Sequence, residues 1–360
     1  ASANAEDDWD EFYTPGGAEL VAHRTSLLED SSGRARARAA RPPPSLQERQ
    51  AQLAAFRATS SAWTLRRQWQ DARPGARPAS ALCRFGDALA VGDWGGSACV
   101  VDGATLAVRA VLPDADGSRI STMDAPDAPD AALAYGTAAG AVRIWQDAQR
   151  GAALAGHRAG VSAVRWHPGG RFLASASADF TWRLWDAARG AQVQLQEGHV
   201  GALSSALAWH PDGALLLTAP ALGAHAPADF VRVWDVRQGR AVWSWVVSNA
   251  APPLHALFHP RHAHLLLTAH ADGAVHFHDL RLLRHALLRV AAHAAPVTGL
   301  RVPCDAAFVT GGADGRVAAW AVSDGAFIRE WRVGSRVTAL DAGPGRVFVA
   351  AYDRVVRILE

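Results

Sequence analysis

The strongest constraint in this 360-residue chain is a period. Units ending on a large residue close at Trp145, Trp185, Trp234, His278, Trp320 and Leu359, at intervals of 40, 49, 44, 42 and 39 residues. A second mark, Gly-His, falls at Gly156-His157 and Gly198-His199. Between the marks lie short alternating runs, broken by turn tokens such as "HPGG", "HPDG", "ADG" and "SDG". Alternation is the periodicity of strands, and Gly, Pro and Asp clusters end them. Helical repeats would bring apolar residues back at three and four instead.

A unit of about 40–45 residues with Gly-His early and Trp-Asp late is the WD40 signature, four strands per blade. The expected fold class is therefore all-β: a seven-bladed WD40 β-propeller with an N-terminal extended or short-helical tail. The tail is assigned to residues 1–60 and the propeller to 61–360. Blades are predicted at about 79–109, 119–154, 156–197, 198–247, 250–290, 292–331 and 333–360. The last has only three strands, which would leave an open edge. "SAWTLRRQW", residues 61–69, alternates suitably and is predicted to pair there and close the ring.

Blade three shows why the signature needs its residue types. His157 enters the blade, Ser175 lies on the second strand, Asp179 in the next turn and Trp185 on the third strand. The WD40 resemblance implies a hydrogen-bonded chain through these four side chains. A buried carboxylate requires such partners, because burying it alone is costly. The spacing recurs in blade six as His293, Thr310, Asp314 and Trp320. Other blades are degraded: Ala139 stands where blade two needs an acid, and His278 where blade five needs Trp.

These sets recur, which a catalytic triad does not, and no G-x-S-x-G elbow is present, so no catalytic residue is assigned. Blade five holds His255, His259, His262, His264, His270, His276 and His278 within 24 residues. Zinc wants three or four converging ligands, and no cysteine lies nearby, so the reading assigns no metal and no cofactor. Lysine is absent and all 36 basic residues are arginine, which removes P-loop and Schiff-base lysines. Cys83, Cys99 and Cys304 form neither a ligand pattern nor a disulfide framework, which fits a reducing compartment. No run approaches 18 apolar residues, so no membrane span is expected.

Charge is blocked at the N-terminus. Residues 1–30 carry eight acids against Arg24, and residues 31–78 carry ten arginines against Glu48 and Asp71. Such asymmetry reads as an extended tail that binds something, and the run holding Arg34, Arg36, Arg38 and Arg41 reads as a solvated tail, a nucleic-acid contact or a nuclear-targeting segment. If it meets RNA, these arginines would contact phosphates. Pro42, Pro43 and Pro44 cannot continue a helix. Ser45 to Glu48 forms a capping-box pattern ahead of a short amphipathic helix at about 46–58.

"ARPASALCRF" (76–85), "WHPGGRFLASASADFTWRLWD" (166–186), "QEGH" (196–199), "VWDVRQGR" (233–240) and "AHAAPVTGLRV" (292–302) together resemble the WD40-repeat splicing proteins of the U4/U6 small nuclear ribonucleoprotein. The resemblance implies a nuclear, non-catalytic scaffold without a small-molecule substrate. Its propeller would bind a companion U4/U6 protein and other particle subunits, with U4/U6 RNA near the tail. On this reading Arg158, Phe180, Arg316, Tyr352 and Arg354 face the protein partner. Trp234 to Arg237 also matches the WDxR pattern of ubiquitin-ligase substrate receptors, which stands as the alternative. The family's Phe-Gly-Glu-containing motif is absent from residues 40–57.

Overall fold

The computed structural model describes residues 18–41, 44–70, 77–112, 117–126, 132–146, 153–221, 230–246, 251–282, 286–343 and 345–360. Their strands form seven four-stranded antiparallel sheets. Six are consecutive in sequence: Ala79–Leu112, Ile120–Leu154, Val161–Gln196, Leu203–Val246, Pro253–Ala291 and Val297–Arg332. The seventh combines Val337–Gly343, Arg346–Ala351 and Val355–Leu359 with Leu65–Gln70 from before the first blade. In that pairing Leu65 lies opposite Leu359 and Gln70 opposite Val355. The ring is thus a seven-bladed propeller whose last blade is built from both ends of the described chain.

Burial follows from position in the blade. In the third blade Phe172–Ser177 and Trp182–Asp186 are buried throughout, while the outer strand Ala191–Gln196 starts exposed. A blade's two central strands pack on both faces, so they read as continuous apolar runs. Seven core clusters each straddle two adjacent blades, and the one joining blades seven and one unites Phe348 and Ile358 with Leu89 and Val101. Stability is therefore shared through nearest-neighbour interfaces around a closed ring.

A second bond between blades went unread in the sequence. Ser121 donates to the Gly136 carbonyl of its own blade and to the Val161 carbonyl of the next. Ser80 does the same with Gly92 and Ile120, and Ser205 reaches Leu254 of the following blade. Ser162 and Thr298 keep the within-blade bond to Ala176 and Gly311. A hydroxyl near the start of six of the seven innermost strands, all but Pro253–Phe258, was the available signal.

The N-terminal segment corrects the sequence reading. Of the arginines expected in an extended tail, Arg34, Arg36 and Arg38 lie on α1, Ala18–Ala39, a 22-residue helix, and Arg41 follows its end. Alanine and arginine are strong helix formers, and Arg36 and Arg38 in the last turn suit its negative C-terminal end. The helix is docked: Leu27 is buried among Phe172, Leu203 and Trp209, between blades three and four. Arg38 makes two bonds to Asp212 of blade four, so it is not a phosphate ligand in this conformation. Arg34 pairs with Asp30 one turn earlier, and Arg36 and Arg41 are exposed.

The second helix, α2, spans Leu46–Ala62, and the Ser45–Glu48 capping box starts it with both reciprocal bonds. It runs past the expected end because Phe56 and Trp63 insert between blades six and seven. There Trp63 packs 5.8 Å from Trp331, whose indole donates to the Trp63 carbonyl at 3.2 Å.

Candidate functional site

In blade three the four expected side chains meet. His157 Nδ1 lies 2.9 Å from Asp179 Oδ2, and its Nε2 lies 2.7 Å from Ser175 Oγ. Trp185 Nε1 donates to the same hydroxyl at 2.8 Å. The carboxylate accepts a hydrogen bond from Nδ1–H, leaving Nε2 to accept one from the Ser175 hydroxyl while a Ser175 lone pair accepts from Trp185. Burial opposes ionisation of Asp179, but bonds from Thr181, the Arg158 backbone and His157 outweigh it and hold its pKa at about 2. Burial lowers the His157 pKa against the pull of Asp179. Blade six repeats the chain: His293 to Asp314 at 3.0 Å, His293 to Thr310 at 2.9 Å and Trp320 to Thr310 at 2.9 Å.

Ser, His and Asp stand here in a hydrolase-like order, yet the geometry is structural. Ser175 has no exposed surface, and its lone pair is taken by Trp185. A nucleophile needs an approachable hydroxyl and an oxyanion site, and Ser175 is not approachable.

Two further hubs escaped the sequence. In blade four, Thr218 Oγ1 bonds His199 Nε2 at 2.8 Å and Trp234 Nε1 at 2.7 Å. In blade five, Thr268 bonds His278 at 3.0 Å in the tryptophan position and His270 at 2.9 Å in place of the missing entry histidine. Nitrogens of His270, His276 and His278 lie within 4.8 Å of one another and are the group among the described residues that could hold a metal. Thr268 already engages two of those rings, so the cluster reads as a rebuilt hub. Burial holds His276 and His278 at a pKa of about 4.

The tetrads rigidify one rim of the ring. On it, each blade donates a turn backbone N–H to the loop before its first strand, at 2.7–3.1 Å: Trp94 to Pro78, Ala138 to Arg119, Ala178 to Gly160, Ala221 to Ala202, Ala271 to Pro252, Ala313 to Pro296 and Tyr352 to Arg336. Two residues further along, four blades place a glycine with positive φ: Gly96, Gly140, Gly273 and Gly315. Blades three and seven put Phe180 (φ 72°) and Arg354 (φ 67°) there instead. A side chain in that region costs on the order of 1 kcal/mol, and such strain gathers at functional positions. Phe180 and Tyr352 are 49% and 56% exposed. Arg158 and Arg354 are exposed too, whereas Arg316 is tied to Asp314 and Glu330 at 3.2 and 2.9 Å. The long turn "APALGAHAPAD", residues 219–229, reads from the sequence as projecting from this rim, and its residues 222–229 lie outside the described residues.

Arg237 of the WDxR pattern folds back on Asp235 at 2.6 Å, and Arg281 does the same with Asp279 at 2.6 Å in blade five. An Asp-x-Arg turn that recurs between blades is a local staple, which removes the specificity of that motif. On the opposite side, Arg38 and Arg41 join Arg49, Arg57, Arg261 and Arg281 around a cavity of about 820 Å³ under blades five and six.

A closed ring of four-stranded blades with interlocked His-Ser/Thr-Trp hubs defines a WD40-repeat β-propeller protein, and the family described as WD domain, G-beta repeat, matches residues 149–186. Among individual proteins, the chain is similar to the U4/U6 small nuclear ribonucleoprotein PRP4 of Saccharomyces cerevisiae, 29% identical over 216 residues, 54% of this chain and 44% of that protein. It also matches Protein Mut11 of Chlamydomonas reinhardtii, 58% identical over 41 residues, 11% of each. The chain thus spans less than half the length of the yeast relative. Among the described residues, no helix is long and apolar enough to cross a membrane.

Proposed function

We propose that this chain is a non-catalytic scaffold of the U4/U6 particle in pre-mRNA splicing, working in the nucleus. Its tetrad rim binds a companion U4/U6 protein, and its exposed N-terminal arginines contact RNA. The similarity to PRP4 supplies the particle. The observation that carries the protein interface is the strain at Phe180 and Arg354, where sister blades use glycine. A fold optimised for stability alone would keep glycine there; an exposed phenyl ring and guanidinium serve a neighbour. For RNA, Arg36 and Arg41 replace the fuller set of four read from the sequence, since Arg38 and Arg34 are engaged.

A tagged full chain recovered from cells and analysed by RNA sequencing and mass spectrometry tests this. The expected result is U4 and U6 RNA together with a U4/U6 protein. Recovery of cullin and adaptor subunits without small nuclear RNA would overturn it.

A further inference from the structure

The seven rim turns are equivalent by their shared backbone bond, so departures from the common residue are informative. Five blades carry alanine as the donor; blades one and seven, adjacent in the ring, carry Trp94 and Tyr352. The accepting residue is arginine only in blade two, Arg119, and blade seven, Arg336. All four residues therefore gather over the contiguous blades seven, one and two, where they line one mouth of the central channel.

Trp94 and Tyr352 are 45% and 56% exposed, with ring centroids 6.5 Å apart and planes at 82°. The Arg119 guanidinium sits 4.5 Å over the Trp94 ring, and Arg336 is exposed. Neither arginine meets a carboxylate among the described residues. Below the mouth the channel, about 630 Å³, adds Arg165 and Arg301, but Arg301 is paired with Asp341 at 2.8 Å, so the unpaired guanidinium groups that bear on the site are those at the mouth. Two polar atoms of lining residues are buried without a partner, Thr338 Oγ1 and His255 Nδ1. Paired aromatic faces beside unneutralised guanidinium groups suit a partner that is flat and anionic at once. A nucleotide is such a partner: aromatic rings stack on bases and arginine forks bind phosphate. An acidic peptide would use the two arginines but offers nothing flat to the two exposed rings.

We propose that this mouth binds a nucleotide step of single-stranded RNA, with a base stacked on Trp94 and edge-on to Tyr352 and the phosphate on Arg119 and Arg336. The inference rests on the ribonucleoprotein reading for the presence of RNA, and adds a site on the ring distinct from the N-terminal arginines Arg36 and Arg41.

Fluorescence anisotropy of the full chain with a labelled oligouridine, across about 50–200 mM salt, tests it. Trp94→Ala is expected to weaken binding about 5-fold or more, with an unchanged salt slope. Arg119→Ser with Arg336→Ser is expected to reduce the slope by about 1.4, the value for two phosphate contacts on a single strand. Both effects should persist in an Arg36→Ser, Arg41→Ser background, which removes the contribution of the exposed N-terminal arginines. Binding unaffected by the mouth variants, or displaced by a glutamate-rich peptide at equal concentration, would overturn the site. That failure would leave recovery of U4 and U6 RNA from cells untouched, so the two readings fail separately.

Discussion

Replacing Thr218 by valine isolates what the blade-four hub contributes. Valine keeps the shape and removes the hydroxyl that bonds His199 Nε2 at 2.8 Å and Trp234 Nε1 at 2.7 Å. Thr218 is 1% exposed, Trp234 has no exposed surface and His199 is 8% exposed, so water cannot take over either bond. A buried polar group left without its partner costs about 1–3 kcal/mol, and two are orphaned here. Allowing for relaxation at the partly accessible histidine, the expected loss is about 2–4 kcal/mol. At about 2 °C per kcal/mol for a domain of this size, Tm should fall by about 4–8 °C. Thr218→Ser restores the hydroxyl and should recover most of it, losing only one methyl group. Calorimetry and urea unfolding of the three proteins make the comparison. A valine variant within about 0.5 kcal/mol of the parent, or a serine variant as unstable as valine, would refute the hub argument.

Other expectations follow from the same geometry. Phe180→Gly should change stability by less than about 1 kcal/mol, because relief of the positive φ is offset by added chain entropy. It should nevertheless weaken capture of the U4/U6 protein partner, and intact capture would remove Phe180 from the interface. Leu27→Ala should cost about 2–4 kcal/mol of α1 docking and speed tryptic cleavage within α1; unchanged cleavage would show that the helix is held elsewhere. Acid should destabilise the ring well above the carboxylate range. Burial holds His167 and His259 at pKa values of about 4, so they are neutral in the native state, while the unfolded chain takes up protons below about 6.5. The stability present above 6.5 is therefore lost as pH falls toward 4, on the order of 3 kcal/mol for each ring across the full window. Urea midpoints that stay level from pH 7 to pH 5 would contradict this.

The fold class was legible because it is written in local spacing. A strand alternates, a turn needs Gly or Asp, and His157, Ser175, Asp179 and Trp185 fall at intervals that blade six repeats. Hubs that keep those intervals were readable. The Thr218 hub was missed because its turn lacks the spacing of the other two, and the Thr268 hub because His270 reaches it from the same strand. Partner identity in a network depends on which atoms arrive, and substituted blades deliver them from new places. The arginine run shows the same limit: its composition reads equally as solvated tail or helix, and docking of Leu27 against Trp209 and Phe172 decided between them.

The sequence by itself determined the repeat, its strands and two of the buried tetrads, since each depends on neighbours within about forty residues. Only the closed ring brought Tyr352 beside Trp94, fixed the bounds and register of the ring-closing strand as Leu65–Gln70 against Val355–Leu359, and seated α1 across two blades. Those contacts join residues far apart in the chain, and no local propensity encodes them. They exist because burying the last open edge and the last apolar faces favours closure of the circle.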